Sequence, residues 1–178
     1  HIPYRAGTDI PGTIIAMFRQ PLTRLASDVN HIQERLHKHF GEDLRGLQSF
    51  MECGLRAAVH YPGLLGCQTR LLLGRNCFDS YTITAEDIAE AKRRVKKEFL
   101  FVGITERWND SVTLFHQLHG GDMHSDEVVS QRSAKAGMAA LGRALRTTIQ
   151  SERVEDVWDS QLYDHVHSIF LQRLKTVS

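Results

Sequence analysis

The sequence predicts an α/β fold that is rich in helix and contains a short parallel sheet. Two short apolar runs indicate the strands, because Thr13 to Phe18 and Phe99 to Ile104 are each followed at once by a helical pattern. A helix also precedes the second run, and the order helix, strand, helix is typical of a crossover unit. We therefore expect the two runs to be neighbouring strands of one parallel sheet.

Size and charge limit the classes of protein that fit. The 178 residues are 42% hydrophobic, which is enough for a single domain covering residues 1–178. The 22 basic and 21 acidic residues nearly cancel, so no overall charge indicates a nucleic acid or a membrane surface as partner. No apolar run approaches the roughly 18 residues of a membrane span. The sequence therefore predicts neither nucleic-acid binding nor a membrane span.

Three helices flank the predicted strands. The first runs from about Pro21 to His39, and Pro21 suits the first helical position, where its missing N–H costs nothing. The second begins after Thr84, a good N-cap with Asp87 three residues later. The third stops at two glycines, and its predicted apolar face consists of Trp108, Val112, Phe115 and Leu118.

The cysteines leave the redox compartment open. Cys53, Cys67 and Cys77 lack the CxxC spacing of structural zinc sites. Cys67 and Cys77 can pair if the segment between them doubles back, and free buried thiols are the alternative. Among the ten histidines, His116 and His119 share a helix face without an obvious third ligand, so no metal is predicted.

A strand-to-helix corner at Arg19 is the first candidate site. In an open α/β sheet the ligand crevice lies outside the carboxyl ends of the strands, and Arg19 stands there. Arg24 and Ser27 are three residues apart on the following helix. A guanidinium, a hydroxyl and the N–H groups of the helix N-terminus can therefore converge on one phosphate. The alternative is that Arg19 pairs with a neighbouring carboxylate.

Four stretches resemble sulfotransferases. "FRQPLTRLAS" looks like the Arg-x-Pro-x-x-Arg-x-x-Ser motif that binds a 3′-phosphate, and every fixed position is present. Three further stretches resemble segments of Golgi carbohydrate sulfotransferases in chain order. Gln-Thr-Arg-x-x-x-Gly matches "GCQTRLLLG", and Phe-x-Val-Gly-x-Thr-Glu-Arg-x-x-x-Ser matches "FLFVGITERWNDSVTLF". The closing Asp-x-x-Leu-Tyr segment resembles "WDSQLYDHVHSIFLQRL". The resemblance implies a P-loop-like sulfotransferase fold.

The resemblance also implies a ligand and a reaction. The donor would be 3′-phosphoadenosine 5′-phosphosulfate, with Arg19 and Ser27 holding its 3′-phosphate, and the acceptor a hydroxyl of a carbohydrate. A histidine before the motif's strand serves as base in the family, so the resemblance carries that role to His1. Arg132 lies in a basic stretch that falls roughly where sulfotransferases close a loop over the donor, and a solvated helix face is the alternative for this stretch. The implied compartment is the Golgi lumen.

One family feature is not visible in the sequence. A lysine-bearing phosphosulfate loop precedes the 3′-phosphate motif in the family, and the segment from Ile2 to Phe18 contains no lysine. Two interpretations stay open. The chain is the C-terminal portion of a sulfotransferase, inactive by itself, or it is a non-catalytic structural or interaction subunit that keeps the fold. Glu106 and Arg107, after the second strand, are interpreted as an ion pair that braces the sheet.

Overall fold

The computed structural model describes residues 3–5, 8–28, 63–128 and 146–177. Within these residues the structure is rich in helix and contains a short parallel sheet, as the sequence predicts. No helix among them is both long and apolar enough to cross a membrane.

The sheet consists of two parallel strands, β1 (Ile14–Phe18) and β2 (Phe99–Ile104). Ile15 lies opposite Phe101, and Phe18 opposite Ile104, so both strands end at the same edge. The prediction of two neighbouring parallel strands is confirmed. The residues that follow the two strands therefore lie close together at this edge of the sheet.

Helices follow and cover the strands. In chain order they are α1 (residues 21–28), α2 (Cys67–Leu72), α3 (Ala85–Glu98), a 3-10 turn (Thr105–Arg107), α4 (Trp108–His119), α5 (Ser125–Val128), α6 (residues 146–151) and α7 (Val157–Val177). The predicted start of α1 at Pro21 is confirmed, and its predicted continuation to His39 lies outside the described residues.

Helix α3 begins as the sequence predicts. The Thr84 side chain accepts a hydrogen bond from the Asp87 N–H, and the Asp87 carboxylate accepts one from the Thr84 N–H, which completes a capping box. The apolar stripe of α3 is buried against the sheet and α7 through Ile88, Ala91 and Val95. The helix thus joins β2 to the core through its inward face.

The core lies where β2 packs against α4 and α7. Helix α7 inserts Leu162, Val166 and Phe170, all fully buried, against the strands. Phe101 of β2 meets Phe115 of α4 edge to face, with ring centroids 5.2 Å apart. These contacts hold the sheet edge at a fixed distance from α7.

The predicted apolar face of α4 is wrong in part. Trp108 and Leu118 are 41% and 38% exposed, whereas Ser111 and Leu114 are buried. The reason is a polar contact, because the Ser111 hydroxyl bonds both the N–H and the C=O of Ile104 at the end of β2. This serine turns the helix so that a polar residue faces the sheet, which hydrophobic periodicity does not anticipate.

A disulfide joins Cys67 to Cys77 and fastens the start of α2 to the loop that follows it. Gly66, the residue before α2, adopts φ 69°, and a Cβ at this position would lie 2.5 Å from Ile83 Cδ1. The N-terminus of α2 is therefore held by a covalent bond on one side and by a close approach on the other.

Candidate functional site

The candidate site is the sheet edge where both strands end, and we call it the corner. Arg19 follows β1 directly, and Glu106 lies in the 3-10 turn after β2. Because the strands are parallel and Phe18 pairs with Ile104 at their ends, these two side chains come together, with Arg19 Nε and Glu106 Oε1 3.8 Å apart. The corner is defined below by Arg19, Gln68, Glu106 and Tyr163.

Glu106 occupies the N-terminus of α1. Its Oε1 accepts hydrogen bonds from the Gln20 N–H at 3.1 Å and from the Thr23 hydroxyl at 2.8 Å. The start of a helix carries partial positive charge and free N–H groups, which favours a carboxylate. The corner therefore already holds one anionic oxygen, supplied by the chain itself.

The Arg19 side chain is about one-third exposed. Its Nε atom is buried and has no hydrogen-bond partner within the described residues. The contact with Glu106 is too long for a hydrogen bond, so it is an ion pair without directed donors. The structure therefore shows the carboxylate partner expected for Arg19, which is Glu106, and the anion site stays a prediction.

The predicted ion pair between Glu106 and Arg107 is wrong. Arg107 pairs instead with Asp110 on the first turn of α4, at 2.7 Å, while Glu106 faces the corner. Consecutive residues of a tight turn point in different directions, so each finds its own partner.

Gln68 and Tyr163 complete the corner. The Gln68 side chain accepts a hydrogen bond from the Arg19 N–H at 3.2 Å and donates one to the Arg19 C=O at 3.1 Å. The Tyr163 hydroxyl lies 3.5 Å from Glu106 Oε2, and the His167 ring stacks on the Tyr163 ring. Burial, with Glu106 nearby, raises the pKa of Tyr163 to about 12, so its phenol stays protonated and acts as a donor.

Arg24 has a different place from the one the sequence predicts. Its side chain is only 6% exposed, and its guanidinium bonds Asp28 at 2.7 Å, Asp159 at 3.2 Å, Asp156 at 3.4 Å and the Leu64 carbonyl. A guanidinium enclosed by carboxylates of its own chain does not face an incoming phosphate. Arg24 is therefore a buried structural cation next to the corner, and its expected contact with the donor is corrected.

Two buried aspartates carry the other half of this network. Both Asp156 oxygens accept from the Gly66 N–H, and Asp159 accepts from the N–H groups of Gln68 and Thr69 and from the Thr69 hydroxyl. They satisfy the free N–H groups at the start of α2. Sequence reasoning missed both, although Asp159 is the aspartate of the Asp-x-x-Leu-Tyr segment.

The pKa of Asp156 is raised to about 6. Burial is the main cause, and the nearby Asp159 carboxylate adds to it, while the backbone N–H groups and Arg24 act in the opposite direction. Arg24 is shared among three carboxylates, so its single charge does not neutralise them all.

The remaining predicted site residues divide into two groups. Ser27 lies on α1 and is half-buried, one turn beyond Arg24. His1 and Arg132 lie outside the described residues, as does Cys53. Within the described ranges, no group of three or more metal-ligating side chains comes together. His116 instead bonds Glu127 and the Gly121 carbonyl, and the Glu127 contact raises its pKa.

Comparison of the chain with protein-family models, with curated proteins and with solved structures finds no match.

Proposed function

We propose that the chain is a sulfotransferase-like domain with a P-loop-like sulfotransferase fold. It binds 3′-phosphoadenosine 5′-phosphosulfate, with the 3′-phosphate held at the corner by Arg19 and Ser27. The sulfuryl group passes to a hydroxyl of a carbohydrate. Sulfur forms a bond to the acceptor oxygen, its bond to the bridging oxygen of the donor breaks, and the acceptor proton passes to a base, a role that the resemblance gives to His1.

One observation carries the proposal: the four stretches that resemble sulfotransferases meet at the corner. Arg19 comes from the first, Gln68 from the second, Glu106 from the third and Tyr163 from the fourth. Hydrogen bonds or ion pairs link Gln68 to Arg19, Arg19 to Glu106, and Glu106 to Tyr163. Residues up to 144 positions apart in the chain are thus assembled at the edge where α/β sheets bind ligands.

Electrostatics at the corner suits a phosphate. A partly exposed arginine beside a helix N-terminus offers charge-assisted and bidentate hydrogen bonds to phosphate oxygens. Glu106 is the one opposing charge that touches Arg19 in the described structure, and its Oε1 already accepts bonds from Gln20 and Thr23. About one-third of the Arg19 side chain stays exposed, and in the proposal this part contacts the donor.

The disulfide supports the compartment that the resemblance implies. Disulfides persist in oxidising compartments and are rare in the cytosol. The Cys67–Cys77 bond is therefore consistent with a protein of the secretory pathway such as one in the Golgi lumen.

Adenosine 3′,5′-bisphosphate is expected to raise the melting temperature. A ligand that binds only the folded state at about 100 times its Kd stabilises it by about 2.7 kcal/mol, which is about 5–10 °C for a chain of this size. Arg19→Ala should abolish the rise, and Lys97→Ala, which removes an exposed charge from α3, should keep it. A rise that survives Arg19→Ala would place the nucleotide elsewhere.

Sulfuryl transfer is tested separately. Labelled sulfate should pass from the donor to a polysaccharide panel when the product of the whole gene is assayed, and Arg19→Ala should reduce the rate at least tenfold, because a 3′-phosphate contact positions the reacting group. Binding of the bisphosphate without transfer to any acceptor would contradict the enzymatic half of the proposal and favour the non-catalytic alternative.

A further inference from the structure

The Gln68 side chain bonds the backbone of Arg19, and Asp159 in turn bonds the backbone of Gln68. We propose that Gln68 and Asp159 are positioning residues for the 3′-phosphate site, acting through Arg19 without touching the donor. The inference rests on the proposed function, because it concerns the same site. It adds a reason why a segment 49 residues away from Arg19 belongs to that site.

The Gln68 amide continues the pairing of β1 past its last residue. Its Oε1 accepts from the Arg19 N–H, and its Nε2 donates to the Arg19 C=O, at 3.2 and 3.1 Å. The N–H and C=O of one residue in an extended chain point to the same side, and a neighbouring strand would bond both. A single side-chain amide, which has both a donor and an acceptor, does the same here.

Gln68 is itself held by α7. Its backbone N–H donates to Asp159 Oδ2 at 2.9 Å, and the next residue, Thr69, donates its N–H and its hydroxyl to Asp159 Oδ1, each at 2.8 Å. Asp159 is fully buried, so these bonds are shielded from water. The Asp159 carboxylate thus holds the first turn of α2 in place. This turn in turn positions the Gln68 side-chain amide against the backbone of Arg19.

These contacts fix the backbone position from which the Arg19 side chain extends. A long side chain with a mobile backbone samples many positions, and ordering it on binding costs free energy. Because the N–H and the C=O of Arg19 are both hydrogen-bonded to Gln68, only the side chain of Arg19 can still change conformation. Loss of these two hydrogen bonds should therefore weaken the contact with the 3′-phosphate and leave binding of the rest of the nucleotide unchanged.

The test is the preference for a 3′-phosphate. Affinities for adenosine 3′,5′-bisphosphate and adenosine 5′-monophosphate are measured by calorimetry for the parent, Gln68→Leu and the control Gln117→Leu on an exposed position of α4. Gln68→Leu is expected to lower the affinity for the bisphosphate about tenfold and that for the monophosphate less than about twofold. Gln117→Leu should change neither.

A second variant gives a signature that general destabilisation does not produce. In Gln68→Glu, a protonated carboxyl group can still accept from the Arg19 N–H and donate to its C=O, whereas an ionised one has no proton to donate. Its bisphosphate affinity relative to the parent should therefore be near normal at about pH 3.5, below the usual glutamate pKa of about 4.3, and fall at least fivefold by about pH 7. Dividing by the parent's affinity removes the titration of the phosphate itself.

Asp159→Asn is expected to follow Gln68→Leu if it folds, since the amide keeps one acceptor oxygen and loses the other. Full preference for the bisphosphate in Gln68→Leu, with a pH-independent ratio in Gln68→Glu, would overturn the inference while Arg19 kept its role. A parent chain that does not distinguish the two nucleotides would overturn the proposed function, and the inference with it.

Discussion

Arg24→Ala is expected to lower the free energy of unfolding by about 3–5 kcal/mol at neutral pH. The substitution removes the cation that contacts Asp28, Asp156 and Asp159, and the last two carboxylates are buried. It also leaves the Leu64 carbonyl without its guanidinium donor. Breaking a buried charge network by removing one partner leaves the others uncompensated, which costs far more than the network itself contributes.

Urea unfolding of the parent and two variants measures this loss. Arg107→Ala is the matched control, because Arg107 also pairs with a carboxylate, Asp110, but the two side chains are 40% and 47% exposed. Ion pairs at the surface contribute little, so the control should lose less than about 1 kcal/mol. Equal losses in the two variants would contradict a dominant role for the buried network around Arg24.

The strands and the start of α3 could be predicted from the sequence because their signals are local. An apolar run followed at once by a helical pattern identifies each strand, and Thr84 with Asp87 three residues later identifies the helix start. The face of α4 could not be predicted, since the Ser111 hydroxyl bonds the end of β2 and periodicity counts only apolar residues. The sequence left the pairing of Cys67 with Cys77 undecided, because it depends on the path of the chain between them.

Arg19 was predictable as a corner residue from its place directly after a strand. Arg24 was misplaced, because a motif shows residue types and spacing but not which of its arginines is buried. Its carboxylate partners Asp156 and Asp159 are 132 and 135 residues away in sequence, and no local pattern connects them. The contact between Gln68 and Arg19 could not be predicted for the same reason, because only the fold brings these two residues together.

The second large expected effect is a change of the free energy of unfolding with pH. The pKa of Asp156 is about 6 in the folded chain, against 3.8 for an unperturbed aspartate. The folded state therefore binds a proton that the unfolded state has already released between about pH 4 and pH 6. Stability contributed by this proton is present below that window and is lost as the pH rises through it, by about 3 kcal/mol in total.

Other titratable groups also change the dependence of stability on pH. Glu90 has its pKa lowered to about 2 by Arg93 and Arg94, so its contribution is lost only in stronger acid. The pKa of His116 is raised by Glu127, which adds to the loss of stability as the pH rises through the folded pKa of this histidine. The pKa of His165 is lowered by burial, so its contribution to stability rises as the pH rises towards 6.5 and partly offsets the loss from Asp156. A variant without the Asp156 carboxyl group is therefore needed to separate the two contributions.

Asp156→Asn isolates the effect, because the amide has a similar shape and does not titrate. Between about pH 4.5 and pH 6.5 the unfolding free energy of the parent should fall by about 2 kcal/mol relative to that of the variant, which is the part of the total that lies in this interval. The stability of the variant should therefore improve relative to the parent as the pH rises, since only the parent acquires a second buried carboxylate beside Asp159. Parallel curves would show that Asp156 keeps its charge throughout, and that Arg24 with the N–H groups of Gly66 and Asp159 outweighs burial after all.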